Sequence, residues 1–113
     1  MKLSIIIPVY NERNTILDCV NRVSNVILPV NFEKEIIIVD DGSTDGTREL
    51  ISRFENIHKV IYHKKNLGKG SAIRTALPHV TGDYVVTQDA DLEVDPNDLA
   101  IMLSKMTALN LTV

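Results

Sequence analysis

The sequence predicts an α/β domain in which helices flank a mainly parallel sheet. Three observations lead to it. Four short apolar runs alternate along the chain with four stretches of helical periodicity. The runs are β-branched and nearly continuous, which is how a strand covered on both faces reads. The chain also has 113 residues, 44% hydrophobic and 24% charged, with 5 Gly and 4 Pro. That is a globular composition for one small domain, without repeats, linkers or low-complexity stretches.

Leu3 to Val9 is the first strand. Arg13 to Leu28 then sets Ile16, Leu17, Val20, Val23 and Ile27 on one helical face, and Pro29 ends that helix. Ile36 to Val39 is the second strand, stopped by Asp40-Asp41-Gly42-Ser43. A helix follows from about Asp45 to Phe54, with Leu50, Ile51 and Phe54 on a shared face. Lys59 to His63 is the third strand, and Leu67 to Leu77 a helix opened by Gly68 and Gly70. Asp83 to Gln88 is the fourth strand. Asp95-Pro96-Asn97-Asp98 opens a last helix, with Asp95 as cap and Pro96 at the first helical position, running to about Leu109. Asn110 to Val113 reads as the opening of a further strand, so the chain is expected to be part of a longer protein.

Composition excludes several classes. Net charge is −3, which offers no electrostatic footprint for nucleic acid. The 1 Cys cannot form an internal disulfide, so a reducing compartment is expected. The apolar run at the start is broken by Pro8 and falls far short of the roughly 20 residues of a membrane span. No cleavage signal follows it. A soluble, cytoplasmic protein is the expectation, with any membrane contact made by a longer parent.

In open parallel sheets, ligands bind beyond the carboxyl ends of the strands. Here those ends carry Tyr10, Asn11 and Glu12, then Asp40 to Thr44, then Asp89, Asp91 and Glu93. Gathered acids repel one another, so such a rim calls for a bound cation or a set of hydrogen-bond donors. Asp89-Ala90-Asp91, with no Cys or His adjacent in sequence, suits Mg²⁺ or Mn²⁺; the plainer alternative is a solvated acidic turn. Asp40 to Gly46 reads either as a turn with a helix cap or as a carboxylate for a base's imide or amino group. Asn66 to Ser71 has the look of a phosphate cradle with Lys69 as its cation, but it is neither a Walker loop nor a dinucleotide fingerprint. Its alternative is a surface lysine. His58, His63 and His79 read as surface or strand-end residues, Cys19 as a core thiol, and Lys59, Lys64 and Lys65 as a solvated edge. Met102, Leu103 and Met106 read as helical core, and no Ser-His-Asp arrangement can be assembled.

The motifs together say more. Ser4-Ile5-Ile6-Ile7-Pro8-Val9-Tyr10-Asn11-Glu12 comes first, then Ile38 to Thr47, then Asn66-Leu67-Gly68-Lys69-Gly70. Gly82-Asp83-Tyr84 and Gln88-Asp89-Ala90-Asp91-Leu92-Glu93 complete the order. The set resembles the nucleotide-sugar-binding half of the inverting family 2 glycosyltransferases, with their Rossmann-like GT-A fold, over residues 1–113 and incomplete at the C-terminal end. The Gly-Lys-Gly and Gln-Asp-Ala-Asp-Leu-Glu forms resemble the branch of dolichyl- and polyprenyl-phosphate sugar synthases.

The resemblance implies that Pro8, Tyr10, Glu12 and Asp41 line the base and ribose pocket. It implies that Lys69 sits near the nucleotide, that Asp89 contacts the nucleotide sugar, and that Asp91 with Glu93 holds Mg²⁺ or Mn²⁺. Several relatives carry Gln where this chain has Glu93. The implied reaction displaces a UDP or GDP leaving group at the anomeric carbon. A lipid phosphate acceptor would need no general base; a base for a hydroxyl acceptor would lie beyond Val113. The other readings are a non-catalytic fragment or nucleotide-binding module without the acceptor half, and a phosphate-accepting regulatory domain, which lacks the later strand-end lysine it would need. An uncovered sheet edge predicts self-association, with a homodimer as its simplest form.

Overall fold

The computed structural model describes residues 1–91, 93, 95–99 and 101. Four parallel strands form its sheet in the order β3-β2-β1-β4. The elements run β1 (Lys2–Val9), α1 (Ile16–Asn25), β2 (Glu33–Asp40), α2 (Thr47–Ile51), β3 (Lys59–Tyr62), α3 (Lys69–Ala76) and β4 (Tyr84–Thr87). Short 3-10 turns, Ser52–Phe54 and Leu77–His79, extend α2 and α3. The helix expected from Asp95 is seen only at its start, where Leu99 is buried. Its continuation, with Met102, Leu103 and Met106, and the strand expected at 110–113 lie outside the described residues.

β1 is central. It pairs along its whole length with β2, from Lys2 opposite Glu33 to Val9 opposite Asp40, and from Leu3 to Ile6 with β4. Leu3, Ile5, Ile7 and Val9 pack with Ile36 and Ile38 beneath α1. Ile6 packs with Ile37 and Val39 beneath Ala72 and Ala76 of α3. Both faces of β1 and β2 are thus covered, and that is why their apolar runs show no alternation with polar residues.

α1 is shorter than expected. Its buried stripe is Ile16, Cys19, Val20 and Val23, while Leu17 is half-buried and Ile27 is 87% exposed beyond the helix end. The stop has a tertiary cause. The Lys34 ammonium, on β2, donates to the carbonyls of Val23, Ser24 and Val26, satisfying groups that another helical turn would otherwise occupy. Partial burial of that ammonium lowers the Lys34 pKa. Lys59 is partly exposed but also engaged: it pairs with Glu35 and donates to the His79 carbonyl. Lys64 and Lys65 are exposed, as expected.

Glu35 ties the opposite rim together, away from the strand carboxyl ends. Its carboxylate accepts from Ser4 Oγ, from the Thr81 N–H and hydroxyl, and pairs with Lys59. Burial pushes its pKa up, but these donors outweigh it and bring the carboxyl from its ordinary 4.5 down to about 2. A depressed folded-state pKa stabilises the fold above the ordinary value, and that contribution is lost as pH falls from about 4.5 towards 2. Glu35→Gln is therefore expected to lower stability at pH 7 by about 1–2 kcal/mol and to flatten the acid limb in that window. Urea midpoints measured across the interval would show it; parallel acid limbs would refute it.

Candidate functional site

All four strand ends open onto one cleft of about 330 Å³. It lies where the strand order reverses, with β2 and β3 on one side of β1 and β4 on the other. Open α/β sheets bind ligands at such a switch point. Pro8, Val9, Tyr10 and Glu12 come from the end of β1, Asp41 from β2, and Asn66, Gly68 and Lys69 from the turn into α3. Asp89, Ala90 and Asp91 follow β4. Of the candidate residues read from the sequence, Glu93 is not in this lining; it is exposed, and its N–H donates to Asp91 Oδ1.

The segment after β1 is clamped by the one after β2. Asn11, in a left-handed conformation with φ of 51°, donates its N–H to Ser43 Oγ and accepts from the Thr44 N–H. The Glu12 N–H reaches Thr47 Oγ1, and that of Arg13 reaches Asp45 Oδ2. Ser43, Thr44, Asp45 and Thr47 therefore hold the backbone that presents Tyr10 and Glu12. Tyr10 is itself exposed.

The paired aspartates divide their work. Asp40, the last residue of β2, shares its side of the strand with Ile36 and Ile38 and is fully buried. One oxygen accepts from the Ser43 N–H and lies 3.5 Å from Arg48 Nε. Asp41 turns to the cleft and is 3% exposed. Its Oδ1 accepts from His63 Nδ1 at 2.8 Å and the Leu67 N–H at 2.9 Å. Its Oδ2 accepts from Asn66 Nδ2 at 3.0 Å and the Gly68 N–H at 2.8 Å. Burial raises the Asp41 pKa, but the bonds from His63, Leu67 and Gly68 more than offset it, and the net direction is down.

One expectation is corrected here. The backbone N–H groups of Leu67 and Gly68, which resemble a phosphate cradle in sequence, are taken by the chain's own Asp41 carboxylate. Of the two places read for His63, surface or strand end, it takes the strand end: it follows β3 directly and is 8% exposed. The sequence signal of these contacts was weak because the partners lie 22–27 residues apart.

Beyond Asp41, the cleft carries the carboxylates of Glu12, Asp89 and Asp91 against the Lys69 ammonium, which pairs with Asp89. Cys19 lies beneath, its thiol 3.8 Å from the Asp89 carbonyl. Burial pushes that thiol up to about 12, helped by the charges of Asp18, Asp91 and Glu12, so it is an inert core group. The open carboxylates are hard oxygen donors, matching Mg²⁺ or Mn²⁺ rather than a softer metal. Among the described residues no three acidic, His or Cys side chains converge into a ready-made metal cluster. Nor is any described helix long and apolar enough to cross a membrane.

Residues 4–113 match the family described as glycosyl transferase family 2. The fold is similar to S. aureus TarS (residues 1–349), at 29% identity and a TM-score of 0.77 over 96% of this chain and 33% of that one. The same protein has been solved with UDP and with UDP-GlcNAc. A mannosyltransferase of Pyrobaculum calidifontis, in complex with GDP-Man and Mn²⁺, is 33% identical over 79% of this chain and 27% of that one, with a TM-score of 0.70. Glucosyl-3-phosphoglycerate synthase of Mycobacterium tuberculosis with UDP is 26% identical, with a TM-score of 0.70, over 96% and 40% of the two chains. The chain thus spans between about a quarter and two fifths of the lengths of these structures.

Proposed function

The chain belongs to glycosyl transferase family 2, and on that premise we propose that it is the donor-binding part of an inverting, metal-dependent glycosyltransferase that uses a UDP- or GDP-sugar. The observation that carries this reading is the cleft at the switch point, lined by segments that follow all four strands. Pro8, Tyr10, Glu12 and Asp41 form the base and ribose side. Asp89 takes the sugar, and Lys69 the diphosphate.

Charge supports the metal. A diphosphate entering this cleft meets Glu12, Asp89 and Asp91 against a lysine already paired with Asp89, an unfavourable balance for an anion. Asp91 is the residue to hold a divalent ion, with Glu93 as the adjoining carboxylate. When bound, such an ion would neutralise charge on the departing nucleoside diphosphate. Lys69 would leave Asp89 for a phosphate oxygen, freeing the Asp89 carboxylate to accept from a sugar hydroxyl. The Gly68-Lys69-Gly70 and Gln88 to Glu93 forms support a polyprenyl phosphate acceptor, whose oxygen is already anionic and needs no base from this part of the protein.

Calorimetric titration of UDP- and GDP-sugars tests the reading. One of the two is expected to bind, about tenfold more tightly with Mn²⁺ than without, or ~1.4 kcal/mol. Asp91→Asn is expected to remove the Mn²⁺ gain and leave metal-free binding in place. A folded protein that gives no heat with either donor class refutes it.

A further inference from the structure

His63 is a buried polar side chain to which the donor-binding reading assigns no role. Both of its ring nitrogens are engaged: Nδ1 lies 2.8 Å from Asp41 Oδ1 and Nε2 2.8 Å from Thr75 Oγ1 on α3. Its backbone is fixed too, the N–H donating to the Asp40 carbonyl and the carbonyl accepting from Arg48. A carboxylate has no hydrogen to give, so Nδ1 carries one, and in the neutral ring Nε2 accepts from the Thr75 hydroxyl. The ring thereby bridges the end of β2 to the last turn of α3.

Asp41 has about four lone-pair directions, and the four donors fill them, two on each oxygen. Three of those donors belong to the Asn66–Gly68 turn itself. His63 is the donor from outside it, so the ring sets the plane of the carboxylate around which the turn is wrapped. That turn carries Asn66, Gly68 and Lys69 into the cleft.

We propose that His63, held by Thr75, is a positioning residue for nucleotide binding: it fixes the orientation of Asp41, and through it the turn that presents Asn66 and Lys69 to the ligand. The proposal rests on the donor-binding reading. It deepens that reading by making Asp41 a hub for the cleft wall rather than a carboxylate with open acceptor sites.

The test compares His63→Leu, His63→Asn and Thr75→Val in the purified protein. Asparagine places an N–H donor near the position of Nδ1 without reaching Thr75, so it serves as the rescuing variant. One readout is amide hydrogen exchange at Leu67 and Gly68 without ligand. The other is calorimetric affinity for UDP and GDP with Mn²⁺. His63→Leu is expected to speed exchange at both amides at least tenfold and to weaken the preferred nucleotide at least tenfold. His63→Asn should recover most of both effects even though its melting temperature falls, and Thr75→Val should shift each about threefold. Should His63→Leu not fold, Thr75→Val and His63→Asn decide the matter against wild type on the same two readouts. Wild-type exchange in the variants, or an affinity loss equal in His63→Leu and His63→Asn, overturns the proposal. If the wild type binds neither nucleotide, the donor-binding reading fails and nucleotide positioning fails with it; the exchange arm then shows separately whether the ring orders the turn.

Discussion

Asp41→Asn is expected to destabilise the fold by roughly 3 kcal/mol and to cost most of the nucleotide affinity. The substitution keeps shape and removes charge. Whichever way the new amide sits, an NH₂ group replaces an oxygen that accepts from two donors. Turned towards Asn66 and Gly68, it orphans the Gly68 backbone N–H and leaves the Asn66 amide only its longer bond to the Asp41 backbone carbonyl. Turned towards His63, the ring can change tautomer to accept from it, since Thr75 can accept as well as donate; the Leu67 N–H alone is then orphaned on that side. Hydrogen bonds to a charged group contribute about 1.5–3 kcal/mol each, and an unmet buried donor costs about 1–3 kcal/mol.

Against a typical stability of about 5–15 kcal/mol, that is a large fraction. The pH dependence gives an independent check. Because the Asp41 pKa is lowered in the folded state, its contribution is present above the ordinary carboxylate value and fades as pH falls through the folded one. The wild-type advantage over Asp41→Asn should therefore be full at pH 7 and narrower at pH 3. An unchanged urea midpoint at pH 7 would contradict the account.

Gly42→Ala should be comparably severe, for steric reasons. Gly42 has φ of +77°, where a β-carbon is strained. An added Cβ would sit 2.5 Å from the Lys65 carbonyl carbon and 2.6 Å from the Asn66 nitrogen. Those are backbone atoms of the segment leading into the cleft turn, so they cannot rotate away. Strain of about 1–3 kcal/mol and overpacking of about 1–3 kcal/mol combine to roughly 2–6 kcal/mol. The displaced segment also carries Asn66, so donor affinity falls with stability. Gly70→Ala is the control: its Cβ would meet only Arg74 at an ordinary 3.5 Å, within a helix that alanine favours by about 1 kcal/mol over glycine. It should hold or raise the midpoint. Equal midpoints for the two variants would defeat the steric argument.

The strands were legible because a strand buried on both faces leaves an uninterrupted apolar run. Ile5 to Ile7 and Ile36 to Val39 needed no tertiary information to be placed. Helix lengths were less so. Pro29 marks a stop, but the ammonium that ends α1 at Asn25 arrives from Lys34 on the next strand, and no periodicity within the helix announces it. Ile27 fits the helical stripe by spacing and lies exposed because the helix has already ended.

The local chain determined where polar residues must gather: β-branched runs, their acidic ends and the turn-forming glycines set strand ends wherever they pack. Tertiary contact decided which of those groups are open to a ligand. Alternation along β2 buries Asp40 on one face and turns Asp41 to the other. Contacts across 22–27 residues then give Asp41 its donors and turn an apparent anion cradle into a wall the protein satisfies itself. Hydrogen bonds are directional and consumed in pairs, so a motif's capacity to bind depends on what has already bound it, and that is written in the packing rather than in the motif.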